Sequence, residues 1–293
     1  MNYLDIKKDI ASLTPENKHR LRQYLDTLLA QQSDKMPHRD VDNSDHYLFV
    51  LRDYLQDKGV LYPSPLPERI QERREGKSFT MRDHVNGMVY SMLSNQTKWI
   101  RIQPHLAEID ELFYNYDPDR LLAADPQHLE DGLRQFKCGN RAVHEQMLSI
   151  GENIKTFQKI EVEYGSIDAF ISSMPPAGVA KAFYASGSPY KLKQLGEALV
   201  WEYLRNVGID ACKPDVHVRT FLGADRMGTG SKSPASLKDT YAQIDLLVEE
   251  TGLLRVDVDA IIWSFCADGY GEVCTADPKC TICPIKSRCK YNA

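Results

Sequence analysis

The sequence has 293 residues but no uninterrupted apolar run close to the ~20 residues that cross a bilayer. Its first residues, Met1 to Asp5, lack the basic and then apolar regions of a signal peptide. Stretches of alternating polar and apolar residues and repeats of fixed period are missing as well. These absences argue against a membrane-spanning chain, a secreted chain, a β-sheet fold and a solenoid, and they predict a soluble intracellular protein.

Positively charged residues are also fewer than negatively charged ones. The chain has 36 lysines and arginines against 41 aspartates and glutamates, which gives a formal net charge of −5. Because phosphates are negative, this total counts against a nucleic-acid partner. The distribution of charge matters more than the total, however, since one basic face is enough for binding.

Apolar residues recur at helical spacing along most of the chain. The predicted helices are 47–55, 102–113, 142–164, 167–174, 192–207, 236–251 and 256–266. A further helix is predicted to start at Thr14, where a capping hydroxyl precedes a proline. Three prolines between Tyr62 and Pro67 exclude a helix interior there. The fold class is therefore predicted to be all-α.

Cysteine is rare except near the end of the sequence. Three of the 7 cysteines are scattered, and the other four follow the pattern C-x5-C-x2-C-x5-C at Cys274, Cys280, Cys283 and Cys289. In an intracellular chain such a group indicates metal binding rather than disulfides. The spacing alone leaves a [4Fe–4S] cluster and a structural zinc ion open, because each takes four cysteines.

The segment from Ala260 to Cys289 resembles the end of endonuclease III and the adenine mismatch glycosylases. In those proteins a helix precedes a four-cysteine iron–sulfur loop with the pattern C-x6-C-x2-C-x5-C, which is one residue longer in its first interval. The resemblance implies that the four cysteines hold a [4Fe–4S] cluster. The loop is locally basic, and Lys279 and Arg288 suit a contact with DNA phosphates, although a solvated tail is the alternative.

An upstream segment, from Lys213 to Gly223, resembles the V-D-T-H-x-x-R-x-x-x-R-L-G region of the same superfamily. The resemblance implies that Asp215 is the catalytic carboxylate. Breaking an N-glycosidic bond develops positive charge on the sugar, and a carboxylate can stabilise that charge and activate water. The alternative is that Asp215 only caps a helix.

The superfamily places a helix–hairpin–helix motif, L-P-G-V-G-x-K-x-A, before this aspartate, and its lysine is the nucleophile of bifunctional members. At the matching distance this chain has Gly196 and Glu197, without a lysine. A second candidate hairpin contains Gly178 and Lys181, and Lys193 follows it. We predict a monofunctional enzyme that uses water, and the alternative is a bifunctional one that uses Lys181 or Lys193.

The segment from Tyr90 to Thr97 resembles the L-L-S-x-Q-x-T stretch of the family, whose glutamine fills the gap left by an extruded base. The resemblance implies this role for Gln96. An exposed polar residue at a helix end is the alternative interpretation.

The resemblance implies a DNA glycosylase of base excision repair. We expect it in the cytoplasm with the nucleoid or elsewhere inside the cell. Its expected partner is double-stranded DNA with a damaged or mismatched base, and we expect a monomer that has no contact with membranes. The predicted domains are an N-terminal helical extension of unknown role (1–79), a helical barrel with the hairpin (80–200) and a domain with the catalytic aspartate and the cluster (201–293). A DNA-binding cleft is expected between the last two. A non-catalytic iron–sulfur DNA-binding protein and a zinc-stabilised scaffold are the alternatives.

Overall fold

The computed structural model of the chain describes Thr14 and residues 45–292. Residues 45–292 belong to one compact unit. They contain helices and turns but no strand, which confirms the predicted all-α class. No helix in this part of the chain combines the length and the apolar character needed to cross a membrane. The helix start predicted at Thr14 falls outside the described residues apart from Thr14 itself.

The α-helices of residues 45–292 are numbered here in chain order. They are α1 (Tyr47–Asp57), α2 (Leu66–Arg74), α3 (Met81–Leu93), α4 (Trp99–Ile102), α5 (Leu106–Leu112), α6 (Pro118–Ala123), α7 (Pro126–Gln135), α8 (Val143–Tyr164), α9 (Ile167–Ile171), α10 (Pro176–Tyr184), α11 (Glu197–Asn206), α12 (Val216–Phe221), α13 (Leu237–Thr251) and α14 (Arg255–Cys266). Short 3-10 turns lie at Gln103–His105, Tyr114–Tyr116, Cys280–Ile282, Lys286–Arg288 and Lys290–Asn292.

The first large hydrophobic core is built by residues between Phe79 and Ala211. Its longest helix is α8, whose 22 residues are followed by Gly165 in the left-handed conformation that favours glycine. The helix buries one stripe at helical spacing, and its apolar members are Val143, Met147, Ile150, Ile154, Phe157 and Ile160. This stripe explains why the sequence pattern located α8 well.

The second core combines α1 with residues from Cys212 to Ile285. Leu48, Leu51 and Leu55 of α1 are fully buried at helical spacing. Tyr54 packs edge-on against Phe265 of α14. The change from one core to the other lies close to the predicted boundary at 200, while α1, predicted to be part of the extension, contributes to the second core. The domain boundaries themselves stay predictions.

Helix α2 carries the arginines Arg69, Arg73 and Arg74. The first two point inward and bind the end of α11. The Arg69 guanidinium donates to the Asn206 carbonyl at 2.6 Å, and Arg73 donates to the Val207 carbonyl at 2.8 Å. Gly208 follows with a φ of +80°, and a Cβ there would lie 2.6 Å from the Arg69 carbonyl oxygen. Only glycine allows this close approach, which fixes α2 against the end of α11.

A buried polar group lies beside this junction. The carboxylate of Asp168 accepts hydrogen bonds from Arg73 at 2.7 Å and from the backbone N–H of Phe79 at 2.5 Å. The Nε2 atom of His84 lies 3.2 Å from the same carboxylate, and its Nδ1 atom lies 2.8 Å from the Tyr203 hydroxyl. The group connects α2, α3, α9 and α11 through one carboxylate.

Candidate active site and cluster loop

A pocket of about 520 Å³ is lined by residues of α2, α3, α4, α5, α11, α12 and α14 and of the loops between them. It contains two residues that the sequence singled out, Gln96 and Asp215. It also contains Glu202 and Lys213, which the sequence reading did not select. A concave site lined by polar side chains on helices of both cores is suited to bind a small molecular group and act on it.

Asp215 is the N-cap of α12. Its Oδ1 atom accepts hydrogen bonds from the backbone N–H groups of His217 at 2.9 Å and Val218 at 3.1 Å. These two donors fix the carboxylate at the pocket wall, and no residue of the described part of the chain donates to Oδ2. The same residue therefore caps α12 and lines the pocket.

Gln96 lies in the loop between α3 and α4. It is exposed, and its φ of +55° is unusual for a residue with a side chain. Backbone conformations of this kind persist where the surrounding structure holds them, and they are frequent at functional sites. The position is compatible with the role that the resemblance implies, which stays a prediction.

Four charged side chains form the ionic floor of the pocket: Glu202, Arg205, Lys213 and Asp259. Each has 15% or less of its side chain exposed. The Lys213 ammonium lies 3.4 Å from the Glu202 carboxylate and donates to the Ser94 hydroxyl at 3.1 Å. Burial would raise the pKa of Glu202, but the charges of Arg205 and Lys213 hold it below its usual value.

Asp259 fixes the chain immediately before the catalytic candidate. Its Oδ2 atom accepts the backbone N–H of Lys213 at 2.7 Å and the Cys212 thiol at 3.1 Å. Arg205 approaches the same atom at 2.8 Å. Asp259 belongs to α14 and Arg205 to α11. The loop before Asp215 is therefore bound to α14, and the carboxylate that binds it is in turn paired with α11.

Aromatic rings form another part of the wall. Tyr62 meets Trp99 and Trp263 edge-on, with ring centroids 6.4 Å and 5.9 Å away. The ring centroid of Tyr90 lies 6.2 Å from that of Trp99, again edge-on. Flat faces of this kind suit a planar heterocycle, because bases taken out of a duplex stack between aromatic side chains.

The rim of the pocket carries an ion pair between Lys98 and Asp268 at 2.5 Å. Both side chains are about half exposed, at 51% and 52%. Val216, which directly follows Asp215, also lines the pocket and is 64% exposed. The entrance is therefore polar on one side and apolar next to the carboxylate.

The two candidate hairpins lie in different surroundings. Gly196 is the exposed N-cap of α11, and Ala198 and Leu199 in the first turn of that helix line the pocket. Gly178 lies in the first turn of α10, outside the lining. The pocket therefore adjoins the start of α11 rather than α10.

The two lysines proposed as nucleophiles from the sequence also lie outside the pocket lining. Lys181 is exposed on α10. Lys193 is exposed in the loop before α11, with its ammonium 4.0 Å from Glu152. Lys213 was not predicted from the sequence because its two partners, Glu202 and Ser94, are distant from it or from each other along the chain. They meet Lys213 only in the folded structure. The only local signal was its place two residues before Asp215.

The four cysteines of the C-terminal motif line one small cavity together with Arg226 and Tyr291. Arg226 is buried and donates to the Cys274 sulfur at 2.9 Å, and its Nε atom has no partner. A hydrogen bond from Cys266 lowers the pKa of Cys274 to about 7 against the effect of burial, and the charge of Arg226 adds to this. Thiolate ligands and a buried cation suit an anionic metal–sulfur group.

Four thiols can hold either a structural zinc ion or a [4Fe–4S] cluster. The [4Fe–4S] cluster that the resemblance implies stays a prediction.

The basic residues of this loop are engaged within the chain. The Lys279 ammonium lies 3.4 Å from Glu272. The Arg288 guanidinium donates to the Asp45 carbonyl at 2.7 Å. About half of the Lys279 side chain remains exposed, so a phosphate contact is open to it. The DNA-binding roles of Lys279 and Arg288 stay predictions.

No family model and no curated protein matches the sequence. Among solved structures, the chain is similar to the 8-oxoguanine glycosylase/lyase of Methanocaldococcus jannaschii in complex with a 15mer DNA containing 8-oxoguanine. The identity is 18% and the TM-score 0.49, over 74% of this chain and 96% of that one. The 8-oxoguanine DNA glycosylase of the same organism has the same identity and TM-score over 76% of this chain and 96% of that one. Similarity at this level does not establish a common function, so the proposal below rests on the pocket itself.

Proposed function

We propose that the protein is a DNA N-glycosylase of base excision repair that acts on a damaged or mismatched base in duplex DNA. The observation that carries the proposal is the position of Asp215, which lines the pocket and whose Oδ1 is held by two amides while Oδ2 receives no hydrogen bond from the described residues. The aromatic wall and the volume of the pocket suit an extruded nucleotide. The resemblance of the sequence around Asp215, Gln96 and the cysteine motif supports the same function.

The reaction follows from this geometry. As the bond between C1′ and the base breaks, its electron pair leaves with the base and positive charge develops on the sugar. The ionised Asp215 stabilises that charge, and its free oxygen accepts a proton from water as the water oxygen bonds to C1′. The departing base gains a proton from solvent and is released, and Asp215 returns to solvent the proton that it took from water. Water is the nucleophile of this step, as expected from the absence of a lysine at position 197.

The predicted [4Fe–4S] cluster belongs to the same proposal. Cys274, Cys280, Cys283 and Cys289 would hold it, and Arg226 would contribute a hydrogen bond to one of its thiolates. When bound, the cluster would tie the last loop of the chain into one rigid element, and it supplies no chemistry to the sugar. Iron and sulfide analysis of protein purified without oxygen tests this, with Cys283→Ser as the variant. Zinc in place of iron would contradict it.

The decisive experiment measures release of the free base from duplexes that each carry one modified or mismatched base. The panel contains uracil, mismatched thymine, oxidised pyrimidines, alkylated purines and 8-oxoguanine. Release by the wild-type protein that is lost in Asp215→Asn would support the proposal and name the base. Tight binding to these duplexes without release of any base would favour the non-catalytic DNA-binding protein instead.

A further inference from the structure

We propose that the pocket prefers bases enlarged by a planar adduct, that is, purines to which a reactive hydrocarbon has added one or more fused rings, over bases of ordinary size. The inference rests on the proposed function, because it names the class of base that the same site accepts. It also goes beyond that function, since the reaction at the sugar does not fix the size of the base.

The volume of the pocket is the first argument. At about 520 Å³ it lies well within the range of roughly 300–1,000 Å³ that is typical of sites for drug-sized ligands. A nucleoside taken out of a duplex is at the small end of that class of ligand, and its phosphates remain part of the strand. The pocket therefore has room for more than an unmodified base and its sugar.

Small side chains leave this space open. The lining contains Ser64, Ser94, Ala198, Ala260 and Ala267. Ala198 belongs to α11 and Ala260 to α14, so both of the cores contribute a small residue to the wall. Leucine forms helices almost as well as alanine, and the two helices therefore do not require alanine at these positions. A larger side chain at either position would take up room that a ligand can use.

The apolar lining indicates that the additional group is flat and hydrophobic. Four aromatic rings line the pocket, those of Tyr62, Tyr90, Trp99 and Trp263. The Tyr62 ring stands at 88° to Trp99 and at 70° to Trp263, so the rings form adjoining walls instead of one parallel pair. A base that stacks on one wall leaves the next wall for an added ring. Leu66, Leu106 and Leu199 add aliphatic surface.

The charged side chains of the ionic floor are engaged with one another. Lys213 lies 3.4 Å from Glu202, and Arg205 lies 2.8 Å from Asp259. A site that recognises a base by one added polar atom needs polar groups that are free to pair with that atom. The floor groups are less available for this than the aromatic and aliphatic surfaces are for an apolar adduct. Size and shape are therefore the properties by which this pocket selects.

The test measures the affinity of the full chain for three duplexes that differ in one base. The bases are adenine, ethenoadenine, which has one added ring, and benzethenoadenine, which has two. Each stands opposite an abasic position, so that no base pair is broken on extrusion, and each has a 2′-fluoro sugar, which resists excision. We expect the affinity to rise about tenfold or more from adenine to the largest adduct. Release of the base from the ordinary sugar should follow the same order.

Ala260→Leu places a larger side chain in the pocket wall. The preference for benzethenoadenine over adenine should fall about tenfold or more, because the added ring and the new side chain compete for the same space. A general loss of folded protein would lower both affinities alike and leave their ratio unchanged. The matched control is Ala107→Leu, the same substitution at an exposed position of α5 outside the lining, which should keep the wild-type ratio.

The outcomes separate this inference from the glycosylase proposal. Preferential binding of the adducts that depends on Ala260, without release of any base from the ordinary sugar, would support the inference and contradict the glycosylase. Release of uracil or 8-oxoguanine without any preference for the adducts would overturn the inference and leave the glycosylase intact. Equal ratios in the wild type and Ala260→Leu would also overturn it, because the selectivity would then arise outside this pocket.

Discussion

Asp215 combines two roles that a single substitution can separate. It caps α12 through two backbone amides, and it lines the pocket. Asparagine caps helices about as well as aspartate but carries no negative charge. We therefore expect Asp215→Asn to fold with nearly the wild-type melting temperature, while base excision falls by about 10²- to 10⁴-fold. Single-turnover excision and thermal unfolding measure the two effects.

The companion variant is Asp215→Ala, which loses both roles. It should lose excision to the same extent and also lose about 1 kcal/mol of stability because the cap is gone. Equal stability of the two variants would mean that the cap of α12 contributes little. Residual excision close to that of the wild type in either variant would mean that another group carries the reaction.

Asp168 makes folding sensitive to acid. Burial would raise the pKa of this carboxyl group, but hydrogen bonds from His84, Arg73 and the Phe79 amide lower it below its usual value. A carboxyl group with a depressed folded-state pKa contributes stability above its unfolded-state pKa, and the contribution is lost as the pH falls through the folded-state value. Burial lowers the pKa of His84, so this residue also favours unfolding once the pH falls below about 6.5.

We predict that the free energy of unfolding declines below about pH 6.5 and declines further below about pH 4. Asp168→Asn should lower it by about 3 kcal/mol at pH 7, because Arg73 and His84 lose a buried partner, and it should weaken the acid dependence below about pH 4, where the carboxyl group itself titrates. Denaturant unfolding between pH 3 and pH 8, with the exposed Asp119→Asn as control, measures both effects. An unchanged acid dependence in Asp168→Asn would contradict the assignment.

At the scale of the helices, the sequence predicted some elements closely and others poorly, for physical reasons. A buried stripe and a following glycine define α8, so the predicted 142–164 differs from the observed Val143–Tyr164 by one residue. The prediction of one helix over 102–113 was wrong because Pro104 interrupts it, and a 3-10 turn separates α4 from α5. Helix α11 begins only at Glu197, five residues after the predicted start at 192, because Gly196 is its cap.

The site was predictable only where it is local in sequence. Asp215 and the cysteines lie in short motifs that can be recognised from the sequence. In the structure the four cysteines line one cavity. The pairing of Lys213 with Glu202 depends on the packing of α11 against the loop before α12, which no short pattern encodes. Long-range ion pairs of this kind are the part of the site that a single sequence does not predict.

The start of α11 is the element for which DNA binding can be tested most directly. Gly196 has open space around the position of a Cβ atom, and α11 has no side-chain cap. Gly196→Asp should therefore fold well, since aspartate is a good cap. If the amides at this terminus face a DNA phosphate, the new carboxylate should weaken DNA binding by roughly tenfold or more through like-charge repulsion.

The matched variant is Gly178→Asp at the start of α10. A Cβ there would lie 3.3 Å from the flexible Met174 side chain, so the substitution is tolerable. Affinity for duplex DNA, measured at two salt concentrations for both variants, decides which hairpin faces the phosphates. Weaker binding by Gly178→Asp alone would assign the contact to α10 and contradict the prediction for Gly196.

At the scale of the whole molecule, the pocket depends on both cores at once. Trp99 and Tyr90 pack on the first core, whereas Asp215 precedes α12, whose Phe221 belongs to the second. The ionic floor joins them, since Arg205 of α11 reaches Asp259 of α14. We therefore expect the position of Asp215 relative to a bound sugar to depend on the stability of both hydrophobic cores.

Helix α1 provides a test of this dependence far from the pocket lining. Leu51 is fully buried, and its neighbours on α1 contact both α12 and α14 through Tyr47 with Phe221 and Tyr54 with Phe265. Leu51→Ala should lower the free energy of unfolding by about 2–5 kcal/mol, a large part of the 5–15 kcal/mol typical of a domain. Excision should remain at low temperature and be lost several degrees earlier on heating than in the wild type.

The control for this prediction is Val162→Ala on α8, where the side chain is 86% exposed. Its stability should change by no more than about 0.5 kcal/mol, because the substitution leaves no cavity. Thermal unfolding and excision are measured in parallel for both variants. If Leu51→Ala melts like the wild type, α1 does not unfold together with the second core. If it melts earlier but keeps excision up to the wild-type temperature, the pocket does not depend on that core, because the carboxylate would then be held by α11 and α12 alone.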